Sequence, residues 1–266
     1  MDSGRVGVDL QDLGLPPKAG LRRASAMGFR AVQFPAVAGE LSARTLSISG
    51  RRHVKRFAAG LGLDIAALVA DFPSMRLTQP NSIDQRVNQT IEVIEMAASM
   101  AVPVVVTSLG AVTDAESGAV VPVAGEALGR LAEASDARNA TLALKPAFDA
   151  GGRLVNVLNA IACLAVGVCL DPAEMVMRGC NPLDRFDDWA ARVALVHVRD
   201  ATAGEPGRVG RETSLGEGEV DIRGMIVALR DCEYRGDFIL RRAEATSPAT
   251  ELSESLTTFR SMQSNL

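Results

Sequence analysis

The chain has 266 residues, with 28 Lys+Arg against 32 Asp+Glu and a formal net charge of -4 at pH 7. That balance excludes a DNA-coating surface and a polybasic membrane patch, and 47% hydrophobic with 23% charged residues supports a large core and excludes a disordered chain. No apolar run reaches the roughly 18 residues of a membrane span, and the four cysteines contain no C-x-x-C pair, so a single cytoplasmic domain over 1–266 with reduced cysteines is expected.

Hydrophobic periodicity alternates short β-rich runs with helical stretches from end to end. The first run is Arg5–Asp9, followed by a helix that Gly28 should stop. Ala31–Phe34 is the second. The helix after it carries Arg51-Arg52-His53-Val54-Lys55-Arg56, a solvated face with Val54 and Phe57 turned inward, and should stop near Gly60. After the run Asp64–Ala70, Ser82 and Gln85 read as a capping box ahead of an apolar face of Val87, Ile91, Ile94 and Ala98. Val104–Ser108, Thr141–Lys145, Val166–Asp171 and Val193–Arg199 continue the series, and Ala203–Gly218 is the longest irregular stretch. Asp221 caps a helix with Ile222, Met225, Ile226 and Leu229 on one face. Asp237–Arg241 is the last run, and Ser247-Pro248 opens a final helix over Leu252, Leu256 and Phe259. Eight strand–helix repeats in about 250 residues match a single (β/α)8 TIM barrel. A doubly wound sheet is the competitor, but no G-x-G-x-x-G follows the first strand.

Strand parity then orients the polar residues. In a barrel strand the large apolar residues face the helices and the alternate residues face the lumen. Leu142 and Leu144 turn Lys145 inward; Val168 and Leu170 do the same for Asp171, Val196 and Val198 for His197, Phe238 and Leu240 for Arg241, and Val32 and Phe34 for Gln33. All lie at or near the C-terminal strand ends, where barrel enzymes build their sites. A solvated rim is an equal reading for any one of them; four on consecutive strands favour a shared cavity. Phe72 and Phe148 follow strands 3 and 5 and are placed to wall it. Arg199 shares the inward parity of His197, and Asp200 orients His197 or caps the next loop. Trp189, Met175 and Met177 read as packing residues.

The segments Gly28-Phe29-Arg30-Ala31-Val32-Gln33-Phe34, Gly167-Val168-Cys169-Leu170-Asp171-Pro172, Val196-His197-Val198-Arg199-Asp200 and Leu215-Gly216-Glu217-Gly218-Glu219-Val220-Asp221 resemble the xylose isomerase-like barrels, the sugar phosphate isomerase/epimerase family. The resemblance runs over nearly the whole chain, and the last two segments in that order are its most specific part. It implies a divalent metal at the barrel mouth, held by a Glu ending strand 5, an Asp ending strand 6, a His on strand 7 and a Glu on strand 8, with the two glutamates moving the proton. Here the Asp is Asp171 and the His is His197. Lys145 stands at the strand-5 position and Arg241 at the strand-8 position, Glu174 where a His often follows the Asp, and Gln33 where a carboxylate is often seen. Ammonium and guanidinium groups offer a metal no lone pair. A unit cation about 4 Å from a divalent ion costs roughly 8 kcal/mol at an effective dielectric of about 20. No metal and no other cofactor is therefore expected.

Three readings follow. The first is a sugar-derived, anionic ligand, such as a sugar acid or sugar phosphate, gripped by Arg241 with Glu174, Gln33, Phe72, Phe148 and Arg199 around it. Catalysis would fall to His197, Lys145 and Asp171 without a metal. The second is a non-catalytic binding or regulatory barrel in which Lys145 pairs with Asp171 or Glu174 and Arg241 with the other acid. The third is Schiff-base lyase or aldolase-type chemistry through Lys145, which nearby acids oppose by raising its pKa. Barrels of this type commonly pair, so a homodimer is one option and the oligomeric state stays open; no nucleic-acid or membrane partner is expected. The related endonuclease IV type needs several histidines for its three zinc ions, and this chain has two, His53 and His197.

Overall fold

The computed structural model describes residues 4–146, 152–205 and 208–265. Seven parallel strands come first: β1 (Val6–Asp9), β2 (Ala31–Pro35), β3 (Asp64–Val69), β4 (Val104–Ser108), β5 (Thr141–Lys145), β6 (Val166–Leu170) and β7 (Val193–Val198). A short antiparallel hairpin, β8 (Asp200–Thr202) and β9 (Arg211–Thr213), follows, and β10 (Phe238–Leu240) joins β7 and β1 to close the eight-stranded barrel. The connecting helices are α1 (Pro17–Ala26), α2 (Ile48–Gly60), α3 (Ile83–Met100), α4 (Pro122–Asp136), α5 (Gly152–Ile161), the short α6 (Pro172–Val176), α7 (Ile222–Asp231) and α8 (Pro248–Ser264). Among the described residues no helix is long and apolar enough to cross a membrane.

The strands are buried on both faces, so they read as runs of Val, Leu and Ala. Two apolar clusters divide along the parity of the strands. Val32, Phe34, Leu142, Leu144, Val168 and Val196 pack between strands and helices. Ala31, Ala67, Val106, Ala143, Cys169 and Leu195 fill the lumen. These interior side chains are mostly Ala, Val and Cys, with Leu195 and Ile239 the larger members, and they floor a polar layer at the C-terminal strand ends.

Several local expectations change. Strands β6, β7 and β10 stop at Leu170, Val198 and Leu240, so Asp171, Arg199 and Arg241 stand one residue beyond them. Ser82 makes no side-chain cap bond to α3; its hydroxyl donates to Gln79 Oε1 at 3.4 Å. The start of α8 is held not by the Ser247 hydroxyl but by Glu251, whose Oε1 accepts from Thr246 N at 2.9 Å and Ser247 N at 2.8 Å. Asp221 does cap α7, accepting from Gly224 N at 2.8 Å. As expected, α1 gives way to Gly28 at φ 89° and α2 ends at Gly60, with the chain turning at Gly62. Trp189 is 1% exposed and packs edge-on against Phe186 between two 3-10 turns.

The stretch 203–218 is not wholly irregular, because β9 folds back on β8. What shapes it is Asp200, which is buried and accepts from the backbone N–H of Gly216 and Gly218 at 2.9 Å, Val220 at 3.1 Å and Ala201 at 2.8 Å. A Cβ on Gly218 would fall on the Asp200 carboxylate. Asp200 thus caps the loop, while His197 hydrogen-bonds Asp171 and Gln33 instead. Asp200→Ala should destabilise the fold by about 3 kcal/mol in urea unfolding, because it orphans several buried N–H groups. A loss under about 1 kcal/mol would mean that water replaces the carboxylate there.

Candidate functional site at the barrel mouth

Asp9, Gln33 and His197 extend the inward-facing rows of β1, β2 and β7 and form one chain across the lumen. Gln33 Nε2 donates to Asp9 Oδ2 at 2.7 Å. Its Oε1 therefore faces His197 Nε2, 3.0 Å away, and that nitrogen donates to it. His197 Nδ1 lies 3.3 Å from Asp171 Oδ2. Asp171 Oδ1 receives Arg199 Nε and Glu174 N, both at 3.0 Å, and so also caps α6. Arg199 Nη2 donates to Glu174 Oε2 at 2.9 Å, and Arg178 reaches Glu174 Oε1 at 2.9 Å.

The other end of the chain is set by a 3-10 turn over Leu10–Leu13, capped by Asp9 through Gln11 N at 2.9 Å. Residues three apart eclipse in such a turn, so Asp9 and Asp12 face the same guanidinium. Arg241 Nε lies 2.7 Å from Asp12 Oδ2 and 3.4 Å from Asp9 Oδ2. The hairpin adds Glu212, buried, with Oε2 3.6 Å from Arg199 Nη1 and Oε1 3.4 Å from Arg242 Nη1.

Lys145 stands apart from this chain. Its Nζ lies 3.1 Å from Asp71 Oδ2, and Asp71 Oδ1 accepts from Ser108 N at 2.5 Å. The pair opens on a pocket of about 400 Å³ that Phe72, Met75, Arg76, Arg86, Glu174 and Arg178 also line. Ligand pockets typically run about 300–1,000 Å³. Phe72 therefore walls this pocket, and Phe148 lies outside the described residues.

Two pairings expected from sequence are corrected. Lys145 pairs with Asp71 rather than with Asp171 or Glu174, because Arg199 already occupies both of those acids. Arg241 pairs with Asp12 and Asp9, on the neighbouring strand β1 and the turn after it. Its tip is clamped, not free to grip a ligand. Four acids in the site were missed. Asp9 and Asp71 carry the same inward parity as the residues identified, and that rule could have found them. Asp12 follows from the turn geometry, and nothing in the sequence marks Glu212.

The electrostatics follow the pairing. Burial pushes the Asp171 carboxyl up, but Arg199 and His197 outweigh it and hold it well below the ordinary carboxylate value. Burial lowers His197, with Arg241 and Lys145 adding to it, and the pull of Asp171 does not restore it. Burial would lower Lys145 as well, yet Asp71 and Asp171 raise it above the ordinary value. Lys145 is thus an ammonium at neutral pH: a charge for an anion or a carbonyl oxygen, not a base. Among the described residues no group of three or more His, Cys, Asp or Glu is placed to hold a metal ion.

A closed parallel barrel with its polar residues gathered at the C-terminal mouth defines a TIM-barrel protein. The xylose isomerase-like TIM barrel family matches residues 21–262, and the chain belongs to that family. No curated protein matches it. Among solved structures it is similar to a xylose isomerase domain protein from Planctomyces limnophilus, at 18% identity over 99% of this chain and 98% of that one, with a TM-score of 0.86. A xylose isomerase-like TIM barrel protein from Mycobacterium smegmatis in complex with magnesium shares 17% over 98% of both chains, at 0.75. The 3-keto-D-glucoside 4-epimerase of E. coli shares 17% over 97% of this chain and 100% of that one, at 0.73. Likeness at these identities is likeness of fold.

The depressed Asp171 value has a stability consequence. Its contribution is complete above the unfolded carboxylate value of about 3.9 and is lost as pH falls from there through the folded value. Asp171→Asn should lower Tm at neutral pH and flatten the fall of Tm below about pH 4 relative to the parent protein. A variant that kept the full acid slope would assign that slope to other carboxylates.

Proposed function

We propose that this protein is a divergent sugar isomerase/epimerase-like barrel that binds a sugar-derived, anionic small molecule at its C-terminal mouth and does not use the family's divalent-metal site. The observation that carries this reading is the ammonium of Lys145, lodged at a strand end where the resemblance implies a glutamate and opening on the mouth pocket. The sugar class is carried over from the family and from neighbours such as the E. coli 3-keto-D-glucoside 4-epimerase.

The donor set does not suit a divalent ion. Lys145 and Arg241 are cations at two of the four implied ligand positions. Of the two donors left, Asp171 already receives Arg199 and the Glu174 N–H, and His197 donates its Nε2 proton to Gln33. A metal would have to displace these partners beside two positive charges. The implied proton-transfer carboxylates are absent with the same two residues, so any isomerisation here runs without them. Lys145 would polarise a carbonyl or hold an anion, while Asp171 and His197 fix the mouth around it.

A second reading is supported by the unbroken pairing from Asp12 through Arg241, Asp9, Gln33, His197, Asp171 and Arg199 to Glu174: a non-catalytic binding or regulatory barrel whose implied metal site is filled by ion pairs. The raised Lys145 pKa weighs against Schiff-base chemistry, which needs a neutral amine.

Protein purified without chelator should contain magnesium, manganese, cobalt and zinc well below one ion per chain by elemental mass spectrometry. Sugar phosphates or sugar acids should raise its Tm where neutral sugars do not. A stoichiometric ion that disappears in both Asp171→Asn and His197→Asn would overturn the metal-free reading. Stabilisation by neither class of sugar would favour the non-catalytic barrel.

A further inference from the structure

We infer that the anion is recognised off the barrel axis, in the pocket beside β3 to β5, by Lys145 and Arg76 backed by the buried guanidinium of Arg86, and that Arg241 takes no part. This rests on the reading above that an anionic sugar derivative binds at the mouth; it adds where the charge is held and by which residues.

Arg86 comes from α3 and is 4% exposed. Its Nη1 donates to Met75 O at 2.9 Å, and its Nη2 reaches Ser108 O and, at 3.4 Å, Thr107 Oγ1. Its Nε–H has no acceptor. Among the described residues no carboxylate lies within ion-pair distance of it; its charge meets only carbonyl and hydroxyl oxygens. A buried cation with no carboxylate in ion-pair reach, only the longer-range pull of Asp71, is costly and leaves a positive potential in the adjoining cavity. That cavity is the one Lys145 and Arg76 line.

Among the described lining residues the charges do not cancel. Glu174 is matched by Arg178 and Arg199. Asp71 is the one described acid of the lining left to Lys145, Arg86 and Arg76, and it is already bound to Lys145 Nζ and Ser108 N. A phosphate or carboxylate entering the pocket would meet Lys145 and the exposed Arg76 directly, with the Arg86 charge behind them. Phe72 and Met75 offer the carbon face of the same molecule a wall. Arg241, by contrast, is clamped by two buried acids.

Calorimetric titration of the full chain at low salt tests this with D-glucose 6-phosphate, D-gluconate and D-glucose; the two charged probes separate phosphate from carboxylate. A charged probe should bind and glucose should not. Arg76→Ala and Arg86→Gln should each weaken binding about tenfold, while Arg86→Lys, which keeps the charge, should stay within about threefold. Arg56→Ala, which removes an exposed arginine of α2 outside the pocket, should change nothing. If Arg86→Gln fails to fold, Arg76→Ala tests the site independently, since its side chain is exposed. Anion binding that survives both Arg76→Ala and Arg86→Gln would overturn the subsite while leaving the proposed function standing. Binding of neither charged sugar would overturn both.

Discussion

Everything at the mouth of this barrel obeys one constraint: polar groups carried above a floor of Ala, Val and Cys must find partners of opposite character within the protein. Asp9, Gln33, Asp171 and His197 are each essentially shielded from water. An unpaired charge there would cost several kcal/mol. The solution is alternation, acid against base along a single path, with Gln33 and His197 joining its two charged ends. Each member is held because its neighbours are held. Removing one partner would leave its neighbour buried and unmatched, which is why such networks resist single substitutions poorly and fix one arrangement well.

The hairpin after β7 belongs to the same arrangement. Asp200 gathers the backbone N–H groups of the following turn, and that turn returns β9 along β8 so that Glu212 points down between Arg199 and Arg242. Burial raises the Glu212 carboxyl against the pull of those two arginines, so its position reflects a balance rather than a saturated ion pair. Arg242 in turn holds Glu251 at the start of α8 at 2.8 Å. The loop over the mouth and the last helix are therefore tied to the axial chain through shared arginines.

Strand order, the closed barrel and the inward direction of Lys145, Asp171, His197, Arg241 and Gln33 were legible because period-2 alternation is a local property of each strand. The pairings were not. Lys145 finds Asp71, 74 residues away, and Arg241 finds Asp12, 229 residues away. Parity tells which residues enter the lumen but not how far each strand is sheared against its neighbour. Shear decides which tips meet. The 3-10 turn that brings Asp12 under Arg241 spans only Leu10–Leu13, too short for its Leu10/Leu13 spacing to stand out as a period, and the short hairpin around Glu212 lies in a stretch dominated by glycine and charge. Helix starts show a related limit: residue types mark the boundary at Ser247-Pro248, but the Ser247 hydroxyl makes no cap bond, and Glu251 inside α8 reaches back to the N–H groups of Thr246 and Ser247 instead.

The difference between axis and side pocket determines where a ligand gains most. To bind on the axis, a molecule must pull Arg199 or Arg241 away from two or more carboxylates in a water-poor setting, and breaking a buried pair costs about 3–5 kcal/mol. In the side pocket, among the described residues, Lys145 has one carboxylate partner, on an Asp71 that is itself part-exposed, and Arg86 has a donor with no acceptor. An incoming anion there would meet Lys145 and Arg76 in the field of the buried Arg86 and break no network. On the proposed reading, the barrel presents its strand ends as the family does, while the residues in those places would shift the favourable ground for a ligand from the centre of the mouth to its side.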